Sequence, residues 1–79
     1  MITANMAKQI ADAEADKQDT GKEWKPDIKN SKVELLDNET YKVGYMPIWS
    51  DSTKMHIGGG FEIHVDRKSG KIKRILWWQ

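Results

Sequence analysis

The chain has 79 residues and a mass of 9.1 kDa, room for one small domain and no second, because independent domains run to roughly 50–200 residues. It contains no Cys, which excludes disulfides, thiolate zinc sites and thiol nucleophiles together and leaves packing as the source of stability. Thirteen Lys and Arg against twelve Asp and Glu leave a formal net charge of +1, too little for the global field that draws proteins onto nucleic acid or anionic lipid.

Four Trp, two Tyr and one Phe supply bulky core material in a chain that is otherwise 32% charged, so it reads as folded and not disordered. The charge is unevenly spread. Residues 1–23 carry five acids (Asp12, Glu14, Asp16, Asp19, Glu23) and three lysines, whereas 67–79 carry Arg67, Lys68, Lys71, Lys73 and Arg74 and no acid. No apolar run approaches the ~18–20 residues that a membrane span needs, and the N-terminus lacks the features of a secretion signal, so a cytoplasmic location is expected.

The first predicted element is an amphipathic helix over about 3–18, in which Ile2, Met6, Ile10 and Ala13 recur at helical spacing. Thr3 is its expected N-cap, and Asp19-Thr20-Gly21 its stop. The stripe is narrow and Ala-rich, so the helix needs a partner surface. Residues 22–30 form a polar connection in which Pro26 favours extended backbone at Lys25, with Trp24 and Ile28 expected to tack it to the core.

Strands are predicted over about 32–36 and 40–48, joined by the polar turn Asp37-Asn38-Glu39. Tyr41, Val43 and Tyr45 share one face of the second, and Pro47 removes a ladder donor, so pairing lapses there or lies on an edge. The stretch Trp49 to Ile57 reads as a polar excursion, an extended hairpin loop. A third strand, about 60–66, alternates Phe61, Ile63 and Val65 with Glu62, His64 and Asp66. Asp66 to Lys71 is a tight turn with Gly70 placed for a positive φ, and a fourth strand follows over about 71–78. Short links make neighbouring strands antiparallel. The expected fold class is α+β, a single domain over 1–79 in which one N-terminal helix packs on a four-stranded antiparallel meander.

Glu62, His64 and Asp66 are the residues best suited to ligate a metal or move a proton. Their spacing of two along a strand separates them by about 6.6–6.8 Å per step, which favours an ordinary solvent-facing row; His56 joins it only if the preceding loop folds back. Gly58-Gly59-Gly60 leads into a strand and not a helix, so it reads as a bend or bulge and not a phosphate cradle. Neither Ser50 nor Ser69 sits in a nucleophile-elbow context. No catalytic residue, cofactor site or metal site is expected, and the chain reads as a non-enzyme.

Strict alternation over the last strand puts Lys71, Lys73, Ile75 and Trp77 on one face and Ile72, Arg74, Leu76 and Trp78 on the other. One of the two Trp should then enter the core while the other lies on the opposite face. Basic residues mixed with aromatics are material for stacking on single-stranded bases, but the basic set is short and the net charge near neutral, so nucleic acid is disfavoured. Trp and Arg more often carry protein interfaces, and Trp49, Arg74, Trp77 and Trp78 are the candidate partner-binding residues. A homodimer is the other way to cover an apolar face.

The run Gly58-Gly59-Gly60-Phe61-Glu62-Ile63-His64-Val65-Asp66-Arg67-Lys68-Ser69-Gly70-Lys71-Ile72, preceded by Tyr41-Lys42-Val43-Gly44-Tyr45-Met46-Pro47, resembles the small bacterial immunity proteins of polymorphic toxin systems. Those proteins have a cystatin-like fold similar to that of nuclear transport factor two. The resemblance is strongest from Tyr41 onward, and the helix at Ala4 to Lys17 sits where such proteins carry theirs. It implies an antidote made in the same cell that neutralises a cognate toxin by tight stoichiometric binding, with no catalytic residues. The strand ending Val65-Asp66, followed by Ser69-Gly70-Lys71, also looks like the PepSY module, which implies an exported inhibitory or sensing role.

Overall fold

In the computed structural model, which describes residues 1–21, 23–50 and 59–78, Thr3 opens a helix, α1, over Ala4–Ala15. Thr3 is extended and its Oγ1 accepts the Met6 amide at 3.2 Å, capping one of the amides that a helix start leaves without a partner. The helix ends earlier than the predicted residue 18. Lys17 and Gln18 close short turns onto Glu14 O and Ala15 O, and the Gly21 amide donates to Asp19 Oδ1 at 2.9 Å, a local bond that competes with helix.

Six strands follow: β1 (Trp24–Pro26), β2 (Lys32–Asp37), β3 (Thr40–Tyr45), β4 (Pro47–Trp49), β5 (Phe61–Asp66) and β6 (Ile72–Trp77). The main sheet is antiparallel in the order β2-β3-β5-β6, and α1 packs on its β2, β3 and β5 strands. The architecture is therefore α+β, with one helix on four antiparallel strands. It departs from a simple meander because β4 intervenes between β3 and β5 and pairs with β1 in a separate two-stranded sheet. Pairing of β3 lapses at Tyr45, just before Pro47, and Pro47 lies opposite Pro26 in the small sheet. Two residues without a donor can face one another there because the bonds Asp27 N to Met46 O and Ser50 N to Glu23 O, each 2.8 Å, make Pro26–Pro47 a non-hydrogen-bonded pair. The predicted excursion over Trp49 to Ile57 is corrected at its start, where Trp49 ends β4 opposite Trp24; residues 51–57, with Met55 and His56, and Gly58 of the triple glycine lie outside the described residues.

The core fills the space between α1 and one side of the sheet, called here the inner face. Tyr41, Val43 and Tyr45 from β3 and Phe61, Ile63 and Val65 from β5 are all buried on it. Trp24 and Ile28 pack against this core as predicted. The helix presents a different stripe from the predicted one. Ala7, Ala11 and Ala15 are wholly buried, with Ile2, Ala4 and Ile10 beside them, whereas Met6 is 47% exposed and Ala13 faces solvent. Two Tyr and a Phe already occupy the volume above the sheet, so the helix approaches with its smallest side chains.

Polar bonds fix the helix in that orientation. Asp12 accepts from the Tyr45 hydroxyl at 2.8 Å through Oδ1 and from Lys8 Nζ at 2.7 Å through Oδ2. Lys8 also donates to Ile28 O at 3.3 Å. Burial pushes the Tyr45 phenol far up, and the Asp12 carboxylate pushes it further, so it remains a neutral donor. At the other end, the Ile2 amide donates to Arg67 O at 2.8 Å, and the Arg67 guanidinium carbon stands 5.9 Å from the centre of the Tyr41 ring. The β5–β6 turn forms as predicted, with Ser69 donating to Asp66 Oδ2 from both its amide and hydroxyl, and with Gly70 at φ +78°.

The alanine stripe makes a sharp prediction. Ala11→Leu should cost about 1–3 kcal/mol in urea unfolding, because extra methylenes have no volume to enter. Ala13→Leu should change stability by less than about 0.5 kcal/mol. The opposite ranking would put the helix in the register that its Ile and Met spacing suggests.

Candidate functional site

Residues directly opposite in an antiparallel sheet share a face. The register therefore lays Glu34, Lys42, His64 and Arg74 in one straight row across all four strands, on the side away from α1. The next row along is Lys32, Gly44, Glu62 and Leu76. No helix or strand among the described residues covers this outer face.

The face is not the plain solvent-exposed row that alternation in β5 suggests. His64 is only 8% exposed, and the side chain of Glu62 is 14% exposed. Trp78, which follows β6, lies on this face beside Glu62. Its backbone amide donates to Gly60 O at 3.0 Å, its Nε1 donates to Glu62 Oε1 at 2.9 Å, and its ring lies over Gly44 and Gly60. A Cβ at Gly60 would come within 2.7 Å of both the Trp78 ring and Tyr45 O, and the residue has φ +99°. The described part of the triple glycine thus acts as a bend that lets an indole lie on the sheet.

His64 Nε2 meets Glu62 Oε2 at 2.5 Å. A carboxylate only accepts, so this ring nitrogen carries the proton. Burial pushes the Glu62 carboxyl up, but the bonds from His64 and Trp78, with the charges of His64 and Lys42, outweigh it and hold the group below the usual carboxylate range. Glu62 is therefore an anion already satisfied from two sides, a clamp between strand and indole. Among the described residues no group of three or more His, Asp or Glu is arranged to hold a metal ion.

Both edges of the sheet carry an irregularity that shapes the face. The β2–β3 register shifts between Leu35 and Asp37, and the β5–β6 register shifts between His64 and Val65, leaving Lys73 as the extra residue. Strict alternation over β6 is corrected accordingly: Ile72 and Ile75 both pack on the core, and Arg74 stands outside opposite His64. Lys73 Nζ reaches Thr40 Oγ1 at 2.8 Å.

The four predicted partner-binding residues divide between two places. Arg74 and Trp78 belong to the outer face. Trp77 lies opposite Phe61 on the inner side, with ring centroids 4.7 Å apart, and stands edge-on to Trp24 at 6.4 Å, yet it is 46% exposed. Trp49 pairs with Trp24 across the small sheet, at 6.1 Å. The two Trp do fall on opposite faces, but neither enters the core: Trp77 meets it only through Phe61 and stays half-exposed, while Trp78 is held down on the outer face. Glu62, His64, Lys42 and Leu76 were missed as parts of the face. The signal for them is the pair of glycines, Gly44 and Gly60, set to receive a Trp from the end of β6.

Acid should weaken the fold in a defined window. Backbone and hydroxyl donors hold the Asp37 and Asp66 carboxyls low as well, chiefly the Glu39 amide for Asp37 and the Ser69 side chain and amide for Asp66. A group depressed in the folded state stabilises it above the unfolded value, here about pH 4, and loses that contribution as pH falls through the lower folded value. Tm should therefore be flat from pH 6 to 5 and fall below pH 4, more shallowly in Glu62→Gln. A Tm that holds or rises on acidification would contradict the clamp.

Comparison with protein-family models, with characterised proteins and with solved structures finds no match to this chain.

Proposed function

We propose that the chain is a small, non-enzymatic protein-binding module that engages its partner through the outer face of the sheet. The observation that carries this reading is the face itself, which no described element covers, where Leu76 and Met46 are exposed beside the partly buried Trp78 and Arg74 is exposed farther along β6. A shallow groove of about 280 Å3 runs between Trp78, Met46, Gly44 and the Glu34–Lys42 ion pair. Apolar anchors inside a charged rim are the make-up of a transient protein interface.

The resemblance from Tyr41 onward names the partner class. On that reading the chain is an immunity protein of the bacterial cytoplasm, and the partner is a cognate toxin covered one to one. No helix of the described chain is long and apolar enough to cross a membrane.

On this reading a large toxin-like gene should lie immediately upstream, and the test is binding and rescue with its product. Co-expression should restore growth and calorimetry should give a 1:1 complex. Leu76→Ala should weaken that complex by more than about 1 kcal/mol, roughly fivefold, while leaving Tm within a few degrees. Binding without any sensitivity to outer-face substitutions would move the interface elsewhere; no binding and no rescue would remove the immunity role.

A further inference from the structure

At the end of the outer face away from Trp78 lies a cleft of about 260 Å3 lined by Leu36, Asp37, Thr40, His64, Lys73 and Arg74. Both register shifts contribute to it, since one leaves Leu36 between paired residues on one wall and the other places Lys73 beside Arg74 on the opposite wall. The buried Thr40 and His64 sit between the walls.

The acids around this face are already committed. Glu34 pairs with Lys42 at 2.9 Å, Glu62 is held by His64 and Trp78, Asp66 by Ser69, and Asp37 accepts the Glu39 amide at 2.8 Å. The cations are less so. Lys73 donates to the uncharged Thr40 hydroxyl and stands within the fields of Asp37 and Asp66, whereas exposed Arg74 has no hydrogen bond or ion pair among the described residues. Asp37 is thus the lone anion set against two cations in the cleft, and the Arg74 guanidinium fork has all its donors available for a planar acceptor.

We propose that this cleft is the subsite for a carboxylate side chain presented by an acidic segment of a protein partner. Arg74 takes the carboxylate in a two-bond fork, Lys73 supplies a second charge, and the Leu36 side chain packs on the methylenes that carry it. The proposal rests on the outer face being a protein-binding surface, and it adds the sign of the partner's charge and the residue that reads it.

Poly-L-glutamate is a suitable probe, followed by amide and side-chain NMR of the full chain, with poly-L-lysine and an oligothymidylate as controls. Poly-L-glutamate should shift the resonances of Thr40, His64, Lys73 and Arg74, with an affinity that falls as salt rises. Arg74→Glu should weaken it about tenfold or more, the loss of one charge-assisted pair. Lys17→Glu, the same charge change at the end of the helix, should weaken it far less. Absence of shifts, shifts confined to the helix side, equal loss in both variants, or tighter binding of the oligothymidylate would each overturn the proposal. A toxin complex that is sensitive to Leu76→Ala but not to Arg74→Glu would overturn it while leaving the protein-binding reading in place.

Discussion

The close approach of an alanine stripe to an aromatic sheet is the contact on which the rest of the molecule depends. Twelve residues of helix span about 18 Å at 1.5 Å per residue, and four strands set roughly 4.8 Å apart make a sheet about 14 Å wide. One such helix covers one face and nothing more. Because Tyr41, Tyr45 and Phe61 fill the space above the strands, the helix needs no large residues of its own. Asp12, held by Tyr45 and Lys8, fixes which way it turns. A chain without Cys has no other means of tying these layers together.

Covering one face leaves the other to be managed by side chains. The strand end folds back as an indole over two glycines, and Glu62 binds that indole and His64 at once. Burying a carboxylate costs unless donors meet it; here two do, and the result is a firm polar floor. The same arrangement uses up the acids of the face and leaves Arg74 unmatched among the described residues. A surface with satisfied anions, an available guanidinium and exposed Leu76 and Met46 is suited to meeting another protein.

Period-two patterning made the main sheet legible in the sequence. The strict alternation of β5 and the Tyr41-Val43-Tyr45 row of β3 identify the buried face, and Thr3, Asp66 and Gly70 act at the caps and turn where their chemistry places them. Three features were not legible, each for a physical reason. The helix stripe is displaced by one position because the larger side chains of the sheet decide which helix face can fit, and helix periodicity carries no information about that. The small β1–β4 sheet consists of two three-residue strands, too short for any pattern. The bulge at Lys73 breaks the alternation that assigns β6 residues to faces, and it thereby moved Ile72 into the core. The outer face was underestimated because Glu62 is held by Trp78, a residue sixteen positions away, and strand alternation cannot see a side chain arriving from the end of another strand.

The central claim is that α1 shields one side of the sheet and leaves the other open. Paramagnetic relaxation by an inert soluble gadolinium chelate tests it most directly, because the effect depends on distance from solvent and not on stability or on any partner. The account predicts strong broadening of Arg74 and Leu76 side-chain signals and weak broadening of the Val43, Ile63, Val65 and Ala11 methyls. Comparable broadening of the two sets, or protection of Leu76 and Arg74 at a dilution where the chain is monomeric, would contradict it.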